Sequence, residues 1–391
     1  MKRIVELDGV RTIAVGMVIT CHFAPFSNWF NQFPAHNGGL GVDIFFVLSG
    51  FLITTILLGS KNQEHPYEIF YARRFLRIMP PYLLLLVIVY GIAFFAHDLI
   101  EPKKFIGQLL FLRSFNTVGE DLHHVLAVVR NPHLIPNPFA ITPPKFVDRD
   151  YPILPITGSL GPTWSLSVEE WFYVLWAPVV LMLRRPWIVA VGCFLCTTGF
   201  LLRWFISPGG IIRSGDILIA GALLAIWIEH RRSLPASEQA KYDRLLDVAT
   251  LITGAIFITL TLLHRELTAM TFAEVAFAGT VAWLIRHANA SNPLSTFLRW
   301  KPMVWIGSVS YTLYLVHLPM YFLVRAGLTR VLGEANAATE SRYWIVALTS
   351  IAMALIFSWL SWKFFEEPIL SYKDHLTEWI AHRRERERTT A

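Results

Sequence analysis

The sequence predicts an all-α membrane protein, a polytopic bundle of about ten transmembrane helices with its N- and C-termini in the cytoplasm. Three observations support this fold class. The 391-residue chain is 54% hydrophobic and only 16% charged, whereas soluble domains are roughly 25% charged. Its apolar residues form segments of about 20 residues, the length that crosses a bilayer. Arginine and lysine are concentrated in alternate loops, as is typical of the cytoplasmic side.

The apolar segments define the predicted spans. They lie at about 11–28, 38–58, 79–97, 163–183, 187–206, 213–229, 246–263, 271–287, 303–326 and 343–365. With the N-terminus inside, every cytoplasmic loop carries cations, as the positive-inside rule requires. These cations include Arg73, Arg74, Arg77, Arg184, Arg185, Arg231, Arg232, Arg299 and Lys301. No cleavage motif follows the first segment, so it is interpreted as a permanent span.

We divide the chain into a membrane domain, residues 1–372, and a basic cytoplasmic tail, residues 373–391. A proline-rich stretch at 98–162 is predicted to be the largest external loop, and long loops of this kind often act as lids or bind ligands. Within it, residues 104–113 are apolar but too short to cross a bilayer. We interpret them as an interfacial or re-entrant helix and assign them no role.

Charge and cysteine content argue against several classes of function. The net charge of +6 is explained by cytoplasmic loops and acidic lipid, so no nucleic-acid partner is expected. Cys193 and Cys196 have redox spacing but lie in an apolar segment, where packing is the better interpretation. We find no ligand spacing typical of zinc and expect no metal. The sequence leaves open whether the protein forms a homo-oligomer.

The first span carries a cation and a histidine. Arg11 and His22 are eleven residues apart, about three helical turns, so they share one face and lie about 16 Å apart along the axis. An ionisable side chain inside a span costs about 2.5 kcal/mol or more, so function is its default interpretation. A histidine that bridges helices by hydrogen bonds is the structural alternative. We assign His22 to catalysis and Arg11 to the binding of an anionic donor.

Asp43 lies near the start of the second span. The glycines and Ser49 around it favour close contact between helices. An acid at the start of a helix suits the positive end of the dipole, and it can also orient an imidazole or pair with a cation. We therefore assign Asp43 to the catalytic group, beside His22.

Three arginines precede the third span on the inner side. Arg73 and Arg74 lie four and three residues before Arg77, so all three can converge. The positive-inside bias explains one or two of them, but three guanidinium groups form a good phosphate site. We predict that they bind the phosphates of a donor. Glu366, at the end of the last span, is a candidate partner for them.

The fourth span starts with aromatic and acidic residues. Ser167 and Glu170 have the spacing of a capping box, which explains one of the two adjacent carboxylates. The pair also suits recognition or deprotonation of a hydroxylated acceptor. We assign Glu169 to catalysis, and the acceptor site to Trp164, Ser165 and Glu170.

The ninth span presents Ser310, Tyr314 and His317 at positions i, i+4 and i+7, on one polar stripe toward the bundle interior. His317 either takes part in the site or braces the first histidine. We place His317 and Tyr311 with the residues that bind the donor. Arg203 and Asp216 are predicted to form a structural ion pair.

Together these motifs resemble the acyltransferase-3 family of multi-pass membrane O-acyltransferases, which modify bacterial surface glycans and some antibiotics. The resemblance extends from residue 7 to residue 368, and its motifs are specific as a set in this order. They are Leu7–Val15, Arg11 with His22, Phe45–Ile53, Arg73–Tyr82, Thr163–Tyr173, Ser310–His317 and the closing Glu366-Glu367-Pro368.

The resemblance implies an acyl-CoA donor, most simply acetyl-CoA, on the cytoplasmic side of the cell inner (plasma) membrane. It implies His22 as the catalytic group, Arg11 as its motif partner, and Arg73, Arg74 and Arg77 as a coenzyme A site. The acceptor is expected to be a hydroxyl of a glycan or another surface or secondary-metabolite molecule. Some relatives carry a further esterase-like domain, which we do not expect in this chain.

Two functional hypotheses follow. In the first, a donor reaches from the inner arginines to His22, which acts as a general base or takes the acyl group itself. Asp43 or Glu169 then orients the imidazole. In the second, the protein is a transporter that carries a lipid-linked or glycan substrate without chemistry. We find no internal repeat of the kind that many transporters show, which favours the first hypothesis.

Overall fold

The structure is a computed structural model that describes residues 3–23, 38–98, 100–113, 130, 156–205, 210–263, 266–332 and 340–380. Regular structure in these ranges is helical. The helices are α1 (Val5–Phe23), α2 (Gly38–Ser60), α3 (Pro66–Phe95), α4 (Pro102–Leu109), α5 (Thr163–Met182), α6 (Arg185–Phe205), α7 (Gly210–Arg231), α8 (Ala236–Leu262), α9 (Glu266–Arg286), α10 (Pro293–Leu298), α11 (Lys301–Ser308), α12 (Ser310–Leu332), α13 (Glu340–Ser361) and α14 (Glu367–Ser371). A 3₁₀ turn (Ile156–Leu160) precedes α5, and a π turn (Trp362–Glu366) joins α13 to α14.

Five helical stretches of the described chain are long and apolar enough to cross a membrane. They are Gly39–Ser60, Pro66–Phe95, Arg185–Leu202, Ala236–Leu262 and Trp344–Ile380. Each includes or overlaps a span predicted from the sequence. The prediction of an all-helical membrane bundle is thereby confirmed.

The other predicted spans coincide with helices of 19 to 23 residues, namely α1, α5, α7, α9 and α12. Within the described residues, these five helices are not among the stretches that are long and apolar enough to cross a membrane. The total of ten spans, and the cytoplasmic position of both ends, therefore stay predictions.

Glycines set the closest helix crossing, between α2 and α7. A Cβ atom at Gly50 would collide with the carbonyl oxygen of Leu218, and one at Gly221 would collide with that of Val47. Small residues are what lets helix backbones approach closely in a membrane, where van der Waals packing holds helices together. The glycine-rich second span was predicted to pack in this way.

Replacement of Gly221 by valine is expected to force α2 and α7 apart, because the branched side chain overlaps the backbone of α2. The expected result is a fall of several degrees in the melting temperature of the purified protein and a lower yield of folded material. Gly91→Val is the matched control, since open space surrounds a Cβ at Gly91. An equal loss of stability in both variants would contradict this account.

The short helices α10 and α11 hold the start of α1. A Cβ at Gly9 would overlap the carbonyl group of Leu298, and one at Gly307 would overlap the carbonyl oxygen of Asp8. The hydroxyl of Thr12 donates to the carbonyl of Met303. This close packing fixes the position of the first turns of α1, and of their charged side chains, relative to α10 and α11.

The segment predicted to be interfacial or re-entrant forms an eight-residue helix, α4, which is too short to span a bilayer. Its Gln108 is buried and accepts hydrogen bonds from the hydroxyls of Tyr82 (2.8 Å, to the backbone carbonyl) and Tyr90 (2.6 Å, to the side chain). α4 therefore packs against α3.

Several predictions lie wholly or partly outside the described residues. Most of the proline-rich external loop does, and so does the basic tail beyond residue 380. The side chain of Arg203 is also outside, so its predicted ion pair with the buried Asp216 is untested. Cys193 is exposed and Cys196 is half-buried.

Candidate active site

An elongated cavity of about 1210 Å³ lies among helices α1, α2, α3, α5, α11 and α12. Its lining follows α2 from Ser60 to Val42, a rise of about 27 Å. This volume exceeds the usual range of small-molecule pockets. The cavity can therefore accommodate a long ligand.

Positive charge dominates the lining. It includes eight cationic side chains and two carboxylates, those of Asp8 and Glu169. The cations are Arg3, Arg11, Arg73, Arg74, Arg77, Arg299, Lys301 and Lys373. Such an excess attracts anions into the cavity, and arginine is well suited to phosphate groups.

Arg11 is held in the cavity wall by Asp8. Its guanidinium donates to Oδ1 of Asp8 at 2.6 Å, while Oδ2 accepts from the Arg3 guanidinium at 2.7 and 2.9 Å. Asp8 is buried and was not singled out in the sequence. The available signal was an acid three residues before Arg11, on the same face of the helix.

All three arginines of α3 line the cavity, as predicted. The Arg74 guanidinium lies 5.9 Å from the ring centres of both Phe70 and Tyr173. Arg73 is partly engaged elsewhere, because it donates to the Thr377 hydroxyl at 3.2 Å and lies 3.8 Å from the carboxylate of Asp374. Arg74 and Arg77 are therefore the arginines of α3 best placed for a ligand.

Glu366 does not form the predicted pair with an inner arginine. Its Oε1 accepts hydrogen bonds from the hydroxyls of Thr312 (2.6 Å) and Ser361 (2.8 Å). It attracts Arg77 only through space. Glu366 thus joins the end of α13 to α12.

Glu169 lies in the cavity wall and joins two helices. Its Oε1 accepts hydrogen bonds from the hydroxyls of Ser49 and Tyr173. The neighbouring Glu170 does not line the cavity, and its buried Oε1 accepts no hydrogen bond from the described residues. Ser49 and Tyr173 were quoted in the motifs but not assigned to the site.

The capping-box interpretation of Ser167 is wrong. Helix α5 begins at Thr163, so Ser167 lies in its second turn, and its hydroxyl donates to the carbonyl of Phe111. Trp164, predicted for the acceptor site, packs edge-on against Phe46 with ring centres 6.3 Å apart and does not line the cavity.

Tyr314 and Ser165 form the end of the cavity that lies away from the arginines of α3. Their hydroxyl oxygens are 2.7 Å apart, and the Tyr314 hydroxyl also lies 3.1 Å from the carbonyl oxygen of Pro162. Tyr311 lines the same wall and donates to the carbonyl of Ile78 at 3.1 Å. The hydrogen bonds of Tyr314 tie α12 to the start of α5.

Two histidines lie directly behind Tyr314. Nε2 of His317 is 3.1 Å from Nδ1 of His22, and the two ring centres are 5.0 Å apart. His317 is fully buried, and its ring centre is 5.7 Å from that of Tyr314. Neither histidine lines the cavity. The cavity that contains the arginines therefore stops at Tyr314, one side chain before the imidazoles, whereas the first hypothesis expects a donor to reach His22.

The contacts of His317 determine the tautomer of His22. Nδ1 of His317 is 2.5 Å from the carbonyl oxygen of Tyr314, which can only accept, so this nitrogen carries the proton. Nε2 of a neutral His317 then accepts from Nδ1–H of His22. The remaining nitrogen of His22, Nε2, keeps its lone pair. This is the form that a general base or nucleophile requires.

The orienting role was predicted for Asp43 or Glu169. Glu169 is engaged by Ser49 and Tyr173, and Asp43 is buried on α2. The orienting contact that the structure describes for His22 comes from His317. Within the described ranges, no group of three or more histidine, cysteine or acidic residues is arranged to hold a metal ion.

The structure thus combines a buried pair of histidines with a long basic cavity among membrane helices. A family model described as an acyltransferase domain matches residues 4–363. The chain therefore belongs to the acyltransferase-3 family, as the motifs predicted, and it is a multi-pass membrane protein.

Three relatives are similar over most of this chain. Peptidoglycan O-acetyltransferase OatA of Listeria monocytogenes is 28% identical, over 94% of the chain and 56% of the relative. YrhL of Bacillus subtilis is 27% identical, over 93% and 54%. O-acetyltransferase OatA of Staphylococcus aureus is 25% identical, over 93% and 56%. The chain thus spans little more than half the length of these curated relatives. No solved structure matches it.

Proposed function

We propose that this protein is a membrane O-acyltransferase. It takes an acyl group, most simply acetyl, from acyl-CoA on the cytoplasmic side and transfers it to a hydroxyl of a glycan or similar surface acceptor. The observation that supports this most is the His22–His317 pair behind the closed end of a long basic cavity. The naming of the Listeria relative as a peptidoglycan O-acetyltransferase supports a glycan acceptor.

The charges of the cavity support coenzyme A as the donor. Coenzyme A combines a phosphorylated nucleotide with a long, flexible pantetheine arm that ends in the thioester. Arg74 and Arg77 line the basic part of the cavity, and apolar side chains such as Phe45 and Leu52 line the wall along α2. Phosphates bound by the arginines would let the arm extend along this wall toward Tyr314.

His22 supplies the acid–base chemistry in this proposal. Nε2 takes the proton of the acceptor hydroxyl while the oxygen attacks the thioester carbonyl. The C–S bond then breaks, and the leaving thiolate of coenzyme A receives that proton from His22 as the ester forms. In the covalent alternative, Nε2 attacks the thioester carbonyl first, the C–S bond breaks and coenzyme A leaves as a thiolate. The acceptor oxygen then attacks the acyl-histidine, the C–N bond breaks, and the hydroxyl proton passes to the thiolate. Both routes need the tautomer that His317 imposes.

The residues predicted for the acceptor site, Trp164, Ser165 and Glu170, keep that role in the proposal. Glu170 keeps a buried carboxylate oxygen that accepts no hydrogen bond from the described chain, so it can accept one from a sugar hydroxyl. Ser165 lies where the cavity meets Tyr314. Trp164 is proposed to complete the acceptor side of the site, near the predicted outer face, and Asp43 keeps its proposed place in the catalytic group.

The function is tested with purified protein and acetyl-CoA that carries a radiolabelled acetyl group. An acyltransferase releases free coenzyme A and transfers label to a soluble glycan acceptor such as a peptidoglycan fragment. A carrier without chemistry consumes no thioester with any acceptor. If the thioester is stable in the presence of peptidoglycan fragments, teichoic acid and simple polyols, the proposal is wrong and the transporter hypothesis gains support.

Arg77→Gln is expected to raise the KM for acetyl-CoA about tenfold, because it removes one charge-assisted contact to phosphate worth about 1.4 kcal/mol. Initial rates at varied donor concentration measure the effect. Arg330→Gln is the control, since Arg330 is exposed on α12 outside the cavity lining. A similar rise in KM for both variants would indicate a general effect of surface charge.

A further inference from the structure

The rim of the cavity carries a second set of side chains, which the proposed function does not use. Lys301 and Trp305 on α11 line it from one side, and Trp362 and Lys373 contribute from the C-terminal part of the chain. Lys301 and Trp305 lie four residues apart, so both project from the same face of α11. We call these four residues the rim cluster.

The two lysines of the rim cluster differ from the arginines beside them. Arg3 is paired with Asp8 at 2.7 Å, and Arg299 lies 3.6 Å from the carboxylate of Glu6. Neither Lys301 nor Lys373 lies within ion-pair distance of a carboxylate in the part of the chain that the structure describes. Their charges are therefore available to an anionic ligand in the cavity.

The indoles offer a flat apolar surface beside these charges. Trp305 is 41% exposed although it lines the cavity, so one face of its ring is accessible. Aromatic side chains stack with nucleobases, and each stacked base contributes about 1–3 kcal/mol. Unpaired lysines next to accessible indoles are suited to a nucleoside that carries phosphate.

The rim cluster is separated from the deeper arginines along the cavity. Gly307 of α11 touches the backbone of Asp8, whose carboxylate holds Arg11. Lys301 lies six residues earlier, about 9 Å along the helix axis. A nucleoside that carries phosphate at two positions of its ribose can therefore contact both clusters.

We propose that the rim cluster binds the 3′-phosphorylated nucleoside of the donor, with the base against Trp305 and the 3′-phosphate between Lys301 and Lys373. This inference deepens the proposed function and rests on it: the deeper arginines then hold the 5′-diphosphate. It follows that the protein selects 3′-phosphorylated coenzyme A thioesters over thioesters of 3′-dephospho-coenzyme A or of free phosphopantetheine.

The test compares acetyl-CoA with acetyl-3′-dephospho-CoA as donors. For the unmodified protein, kcat/KM is expected to be about tenfold higher with the 3′-phosphorylated donor. Lys301→Gln and Lys373→Gln each reduce this preference severalfold, whereas Lys241→Gln, at an exposed lysine outside the cavity lining, leaves it unchanged.

Trp305→Leu lowers kcat/KM for both donors about equally, since the base is common to them. Trp300→Leu is its control, 59% exposed and outside the lining.

A binding measurement separates this inference from the proposed function. Adenosine 3′,5′-bisphosphate is titrated into the purified protein by calorimetry, with adenosine 5′-monophosphate as the comparison. Binding that prefers the bisphosphate and is lost in Lys301→Gln supports the rim site even if no thioester is consumed. Thioester turnover without preference for the 3′-phosphate overturns the rim site and leaves the acyltransferase proposal standing. Equal losses in Lys241→Gln and Lys301→Gln, restored by added anionic lipid, would assign the lysines to lipid headgroups and overturn it too.

Discussion

Replacement of His22 by alanine is expected to lower the rate of acyl transfer about 10³-fold, because the variant lacks the group that moves the acceptor proton. His317 accepts the Nδ1 proton of His22 at 3.1 Å, which leaves the unprotonated nitrogen of His22 at Nε2. His22 does not line the donor cavity, so the donor site is left intact. The KM for acetyl-CoA should therefore change little while kcat falls.

The measurement is transfer of the labelled acetyl group to a glycan acceptor at saturating donor. His287→Ala is the control, because His287 also lies at a helix C-terminus and bonds a backbone carbonyl, that of Trp283, at 2.9 Å. It does not line the cavity. A His22→Ala variant that transfers at the unmodified rate would remove the histidine centre from the mechanism.

His317→Ala is expected to produce the second largest effect, a fall in kcat of about 10²-fold with little change in the KM for the donor. The alanine variant leaves His22 free to adopt the wrong tautomer and to rotate, and loss of an orienting partner is known to be costly in histidine-based catalysis. His317, which was predicted to bind the donor, does not line the cavity. It is a positioning residue, and its effect acts through His22.

His317→Gln distinguishes positioning from simple packing. The glutamine amide oxygen can occupy the place of Nε2 and accept the proton of His22, so part of the lost rate should return. His317→Leu keeps a similar volume without an acceptor and should not recover. If leucine and glutamine gave equal rates, the contribution of His317 would be to packing, and the tautomer argument would fail.

Much of this site was accessible from the sequence because polar residues are conspicuous in apolar spans. Arg11, His22 and His317 were chosen on that basis, and the structure places the two histidines in contact and Arg11 in the cavity wall. Helical periodicity also predicted the convergence of Arg74 and Arg77, since neighbours on one helix face follow from local geometry alone.

Contacts between distant helices were not predictable in the same way. The sequence favoured a carboxylate as the partner of His22, because acids commonly orient imidazoles. The structure brings His317 to it across 295 positions of the chain, a partner that the sequence did not suggest for this role ahead of an acid. Likewise, Glu169 accepts from Ser49, and the order of helix packing that brings them together cannot be deduced from either segment.

The role of Asp8 could not be predicted for the same reason. In the sequence it is an ordinary acid in the first turn of a helix. Only the packing of Gly307 against its backbone and the approach of Arg3 show that its carboxylate carries two guanidinium groups. The rim residues Lys301 and Lys373 were similarly interpreted as general cytoplasmic charge, because one lies in a loop and the other in the tail.

The hydrogen-bonded contact between Tyr314, Ser165 and Pro162 has a consequence for the bilayer itself. The cavity is about 27 Å long, nearly the thickness of the hydrocarbon core, and a passage of this length open at both ends would let ions leak down their gradient. These side chains close the cavity at one end. Under the proposed function, the membrane potential is therefore maintained while the far end admits the charged donor.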